Sequence, residues 1–80
     1  MNPMVLQNGA VVVTNVNPAT KTFSIAVKVH CSPLQLHTPF IQKMIACRVA
    51  KAVDYLQWEG LVEGNVDTWK CEIAAVAYQK

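Results

Sequence analysis

The strongest pattern along the chain is the alternation in residues 22–31, where Phe23, Ile25, Val27, Val29 and Cys31 interleave with Thr22, Ser24, Ala26, Lys28 and His30. A two-residue period sends the two sets to opposite faces of a sheet, so this segment predicts a half-buried strand. Upstream, residues 9–16 (Gly-Ala-Val-Val-Val-Thr-Asn-Val) are β-branched and apolar on both faces, which suits a strand covered on both sides. Asn15, Asn17 and Pro18 between the two are turn formers, and the strands are predicted to close an antiparallel hairpin.

A three-to-four-residue period follows. Thr38-Pro39 has the form of a helix N-cap followed by proline at the first helical position, and neither glycine nor a further proline occurs until Gly60. A helix of about 20 residues is predicted. Ile41, Ile45, Val49, Ala52, Val53 and Leu56 form one stripe on it, the face expected to lie across the hairpin. Phe40, Met44, Cys47, Tyr55 and Trp58 form a second stripe, flanked by Lys43, Arg48, Lys51 and Asp54. Two accounts fit that second stripe: an overhanging loop or the N-terminal segment covers it, or it is a contact surface with aromatic anchors and a basic rim.

Residues 68–78 read two ways. Trp69, Cys71, Ile73, Ala75 and Ala77 alternate with Thr68, Lys70 and Glu72 as in a strand, while Asp67 as a cap and Trp69, Ile73 and Val76 at helical spacing describe a short helix. The strand is the preferred reading. It yields an α+β fold, ββαβ, in a single domain spanning residues 1–80. A three-stranded, mainly antiparallel sheet of order 2-1-3 is expected, with the doubly apolar first strand at its centre and the helix on one face as a crossover. The alternative is ββαα with a C-terminal helix. In the ββαβ arrangement the open sheet face carries Ser24, Ala26, Lys28, His30, Lys70, Glu72, Val76 and Tyr78.

Composition changes this picture in one respect. The chain is 52% hydrophobic and only 15% charged, against about 25% charged in ordinary globular domains, so disorder is excluded. A chain of 80 residues buries only about 60% of the surface its unfolded form exposes. More apolar surface is present than one small core can hide, and a homodimer is expected. No apolar run reaches the roughly 20 residues of a membrane-spanning helix. Met1-Asn2-Pro3-Met4 lacks the basic cluster and apolar stretch of a secretory signal, and Cys31, Cys47 and Cys71 are odd in number without a Cys-x-x-Cys pair. Reduced thiols and a cytoplasmic location are the expectation.

Charge is segregated along the chain. Lys21, Lys28, Lys43, Arg48 and Lys51 precede every acidic residue, and Asp54, Glu59, Glu63, Asp67 and Glu72 all follow, beside Lys70 and Lys80. The net charge of +2 therefore conceals a basic and an acidic portion, a polarity suited to docking an acidic surface or the acidic end of another copy.

Candidate chemistry is sparse. The acids cluster at the helix end and in the loop after it, where they form a solvated surface rather than an acid–base pair. With glycine only at 9, 60 and 64 there is no phosphate-cradling loop. His30, Cys31, His37 and Cys47 are metal-ligand types, but their spacing matches no common zinc pattern. His30 and Cys31 moreover point to opposite faces of their strand. No metal, cofactor or catalytic residue is assigned, and the protein is not expected to be an enzyme.

Nucleic acid is the stronger rival, since the basic N-terminal two-thirds combined with Tyr55 and Trp58 could supply phosphate contacts and base stacking. Yet the chain has a single arginine and a pI of about 8.5, below the usual range above 9 for such modules. In size and character alone it resembles accessory and inhibitor proteins encoded by phages and mobile elements, a likeness that no motif carries. The function expected is that of a non-enzymatic macromolecule-binding protein acting as a homodimer through the second helix stripe or the open sheet face. Met44, Lys51, Tyr55 and Trp58 are the expected contact residues, and Lys43 and Arg48 the steering charges.

Overall fold

The computed structural model describes residues 4–8, by their strand course, and 10–78. Gly9, on which the first predicted strand opens, lies outside the described residues. The hairpin forms from β2 (Val11–Asn17) and β3 (Thr22–His30), paired antiparallel with Val13 opposite Ile25 and Val11 opposite Val27. Its turn follows from side-chain chemistry. The Asn17 Oδ1 accepts hydrogen bonds from the backbone N–H groups of Ala19 (3.0 Å) and Thr20 (3.4 Å), and Lys21 adopts a left-handed φ of 55° that returns the chain to the sheet. Asn15, at φ 56°, sits where the pairing register shifts between Thr14 and Asn17.

The helix α1 runs Pro39–Trp58. Thr38 is extended before it, although its Oγ1 donates to the Gln35 carbonyl (2.7 Å) instead of capping the helix. The other end closes on Gly60: its N–H donates to the Gln57 carbonyl, and its φ of 75° turns the following peptide so that the Leu61 N–H donates to the carbonyl of Leu56. Ile45, Ala52 and Leu56 are buried, and Ile41, Val49 and Val53 are half-buried against the core, so the first helical stripe is the packed one. They meet Val11, Val13, Phe23, Ile25, Val27 and Val29 from the sheet, with Val62 and Trp69 closing the end of the core. Trp69 lies tilted on Phe23, and its indole N–H donates to the Glu63 carbonyl (3.0 Å). Each large apolar side chain fully buried here contributes about 1.5–3 kcal/mol before chain entropy is charged against it.

Residues 70–78 form a strand, β4 (Lys70–Tyr78), and the C-terminal helix of the ββαα alternative is not present. The α+β class holds, but the sheet differs from the expectation in three ways. It has four strands, because β1 (Met4–Asn8) pairs antiparallel with β2. Its order is β1-β2-β3-β4, not 2-1-3. It is also mixed, since β4 runs parallel to β3, from Thr22 opposite Lys70 to His30 opposite Tyr78. The apolar first hairpin strand is indeed interior, but its outer neighbour is β1. The crossover helix delivers β4 to the strand that precedes it, the shortest return for a parallel connection.

Candidate binding surface on the helix

Helical geometry brings Phe40 and Trp58 to the same azimuth of α1 about 27 Å apart, with Met44, Cys47, Lys51 and Tyr55 within about 60° of that line. This flank faces away from the packed stripe. Phe40 is 77% exposed and Trp58 87%, uncovered by any described residue, while Tyr55, at 40%, is partly shielded. Cys47, Lys43 and Lys51 are exposed, while Met44 and Arg48 are half-buried. Met44 packs against the core cluster, so it anchors the floor of the flank.

The six residues expected to make contact are not all brought together. Lys43, Met44, Arg48 and Lys51 line one shallow depression, joined by Phe40 and Cys47. Tyr55 and Trp58 lie beyond it, toward the C-terminal end of α1. Phe40 was legible as a stripe member from its spacing to Met44, but nothing in the sequence marked it as the exposed wall of a depression. The electrostatics run along the helix: cations occupy its first two-thirds, and Asp54 and Glu59 its end. The first turn holds no acid and the last turn no base. The side chains therefore reinforce the helix dipole rather than offset it, and the depression lies at the positive end.

The open sheet face has the expected composition. Lys28, His30, Lys70, Glu72, Val76 and Tyr78 are exposed, with Ser24 and Ala26 half-buried. His30 and Tyr78, opposite in register, stack with ring centroids 5.2 Å apart and 11° between planes. His37 sits in a 3-10 turn (Gln35–His37), Cys31 is buried and Cys47 is on α1. Among the described residues no three His, Cys, Asp or Glu side chains are grouped closely enough to hold a metal ion. The three cysteines are free, and burial pushes the Cys71 thiol pKa up.

One surface was not anticipated. Cys71, Ile73, Ala75 and Ala77 are on the same face as the buried Phe23, Ile25, Val27 and Val29. Even so, Ile73 is 52% exposed. The cause is placement: α1 packs chiefly over β2 and β3, so β4 is covered only in part, with Cys71, Ala75 and Ala77 half-buried against the core and Ile73 left out. Among the described residues no helix is long and apolar enough to cross a membrane. The chain matches no family model, no curated protein and no solved structure.

Proposed function

We propose that the chain is a non-enzymatic binding protein that works as a homodimer and holds a protein partner of acidic surface on the flank of α1. The observation that carries this reading is the exposure of Phe40 and Trp58 on one helical line. Burying a large aromatic against a partner returns about 1.5–3 kcal/mol that the isolated fold leaves unused. Phe40 beside Lys43, Arg48 and Lys51, with Tyr55 and Trp58 further along the same flank, has the composition of a binding hot spot. The charge on the depression selects an acidic partner and speeds encounter with it. The non-enzymatic part rests on the sequence, which offers no convergent acid, base and nucleophile. Size and character suit an accessory or inhibitor protein of a phage or mobile element.

The placement of the cations favours protein over nucleic acid. Lys21 is at the hairpin turn, Lys28 is on the open sheet face, and only Lys43, Arg48 and Lys51 share the helix flank. Three phosphate contacts give a salt slope of only about −2 to −3, far below the six to ten contacts of firmly bound DNA.

Affinity capture from the protein's own source cells tests the proposal, using wild type and the Tyr55→Ala/Trp58→Ala double variant. A stoichiometric partner that raised salt weakens and the folded variant loses is the expected result. Retention of that partner by the variant places binding elsewhere. Binding of random-sequence DNA with a salt slope steeper than about −5 favours the nucleic-acid reading instead.

A further inference from the structure

We infer that β4 is the dimer seam, joining a second copy of the chain edge to edge in an antiparallel pair centred on Ala74. The inference rests on the homodimer reading above and assigns its surface. Backbone geometry comes first. The Lys70 N–H donates to the Lys21 carbonyl across the β3/β4 ladder (2.9 Å). Along a strand successive residues turn their N–H and C=O groups to opposite sides, so Lys70, Glu72, Ala74, Val76 and Tyr78 bond toward β3. Cys71, Ile73, Ala75 and Ala77 direct theirs outward, where no described strand lies beyond β4.

Such an edge is normally guarded by proline, by charge or by a bulge. Residues 73–78 (Ile-Ala-Ala-Val-Ala-Tyr) carry none of these guards, and the β3/β4 register runs unbroken. Three of the exposed large apolar side chains, Ile73, Val76 and Tyr78, sit on this one strand.

The occupant is identified by self-complementarity. Centring the pair on Ala74 matches the whole of Lys70–Tyr78 with itself. Ile73 of one copy then meets Ala75 of the other, and Cys71 meets Ala77, in the positions that exchange both backbone hydrogen bonds. Each pairing sets a larger side chain against a small one. Lys70 and Glu72 fall at opposite ends of the seam in the two copies, so no like charges face each other, and the Lys70 ammonium reaches the Tyr78 ring of the second copy. A parallel in-register pair would instead oppose lysine to lysine and glutamate to glutamate. Ala74 at the two-fold is small enough to face its own copy, as an isologous interface requires.

Sedimentation velocity on four proteins tests the seam: wild type, Ala74→Lys, Tyr55→Ala/Trp58→Ala, and Ala74→Cys in a Cys47→Ser background. Ala74 is exposed, so lysine there leaves the protomer folded, which circular dichroism checks. The expected result is a dimer for wild type and for the helix variant, and a monomer for Ala74→Lys. Facing alanines in the wide pair at the two-fold have Cα atoms about 4.5 Å apart. Ala74→Cys should therefore oxidise to a covalent dimer while a Leu34→Cys control does not, a readout that stands even if Ala74→Lys unfolds. A dimer that survives Ala74→Lys and is lost in the helix variant moves the seam to α1 and overturns the inference while keeping the homodimer. A wild type that stays monomeric at every concentration overturns the homodimer itself.

Discussion

The two apolar sides of α1 recur at similar spacing, one aliphatic and the other aromatic and sulfur-bearing, yet one carries Leu56 at 0% exposure and the other carries Trp58 at 87%. Hydrophobicity alone does not distinguish them. The difference lies in what each side can reach: the stripe from Ile45 to Leu56 lies over the β2/β3 hairpin, which supplies Val13, Ile25 and Val27 to meet it. Among the described residues the Phe40–Trp58 line has no opposing layer. A sheet one helix deep has one core, and whatever apolar surface exceeds it remains at the boundary with water.

The largest effect that bears on this contrast comes from the packed side. Leu56→Ala removes a fully buried side chain and should lower stability by about 2–5 kcal/mol in urea unfolding. That is a large part of the roughly 4–12 kcal/mol expected for a domain of this size. A loss below about 1 kcal/mol would mean that α1 is not seated on the hairpin. Gly60→Ala comes next. No atom lies within 4 Å of an added Cβ, so the left-handed backbone alone is taxed and a loss of about 1 kcal/mol is expected. On the bare side, Phe40→Ala and Trp58→Ala should each change protomer stability by less than about 0.5 kcal/mol, provided the measurement is made where association is absent. A multi-kilocalorie loss at either would show that the flank is covered after all.

The cysteines sharpen the contrast at the smallest scale. Cys47 is exposed on the bare side of α1, whereas Cys71 is half-buried and has a thiol pKa raised by burial. A raised pKa leaves less thiolate at any pH below it, so Cys71 alkylation should lag behind that of Cys47 and gain rate only as the pH climbs. Mass-resolved labelling across pH 7–10 checks the order, and Cys31, in the core, should react last.

Most of this contrast was readable from residue spacing. The alternation of Phe23 to Cys31 located β3, Thr38-Pro39 and Gly60 bracketed α1, and the two helical stripes were separable. Spacing named the Ile41–Leu56 stripe as the one that packs on the hairpin, and the structure seats it there. It could not say whether the second stripe also had a covering layer, because that depends on what the rest of the chain places beside it. The strand order was misread for want of β1. Met4–Asn8 is a short segment without alternation, although Asn8-Gly9 just before three valines is a hairpin signal of the right kind. Once β1 occupies the outer side of β2, the C-terminal strand has only β3 to join. It then becomes an edge, and Ile73 becomes exposed despite its inward register. The grouping of Lys43, Arg48 and Lys51 around Phe40 was legible as helical proximity. The distance of Tyr55 and Trp58 from that group was likewise implicit in the helical rise. What spacing does not encode is the depression itself, which depends on side-chain placement.

The account holds that apolar surface left bare by the fold is covered by association, and residue-resolved amide exchange along β4 addresses this most directly. If a second copy pairs there, the amides of Ile73, Ala75 and Ala77 will be as protected as those of Glu72, Ala74 and Val76, and the protection will fall on dilution. A concentration-independent alternation, with the outward amides exchanging fast and the inward ones slowly, would contradict it.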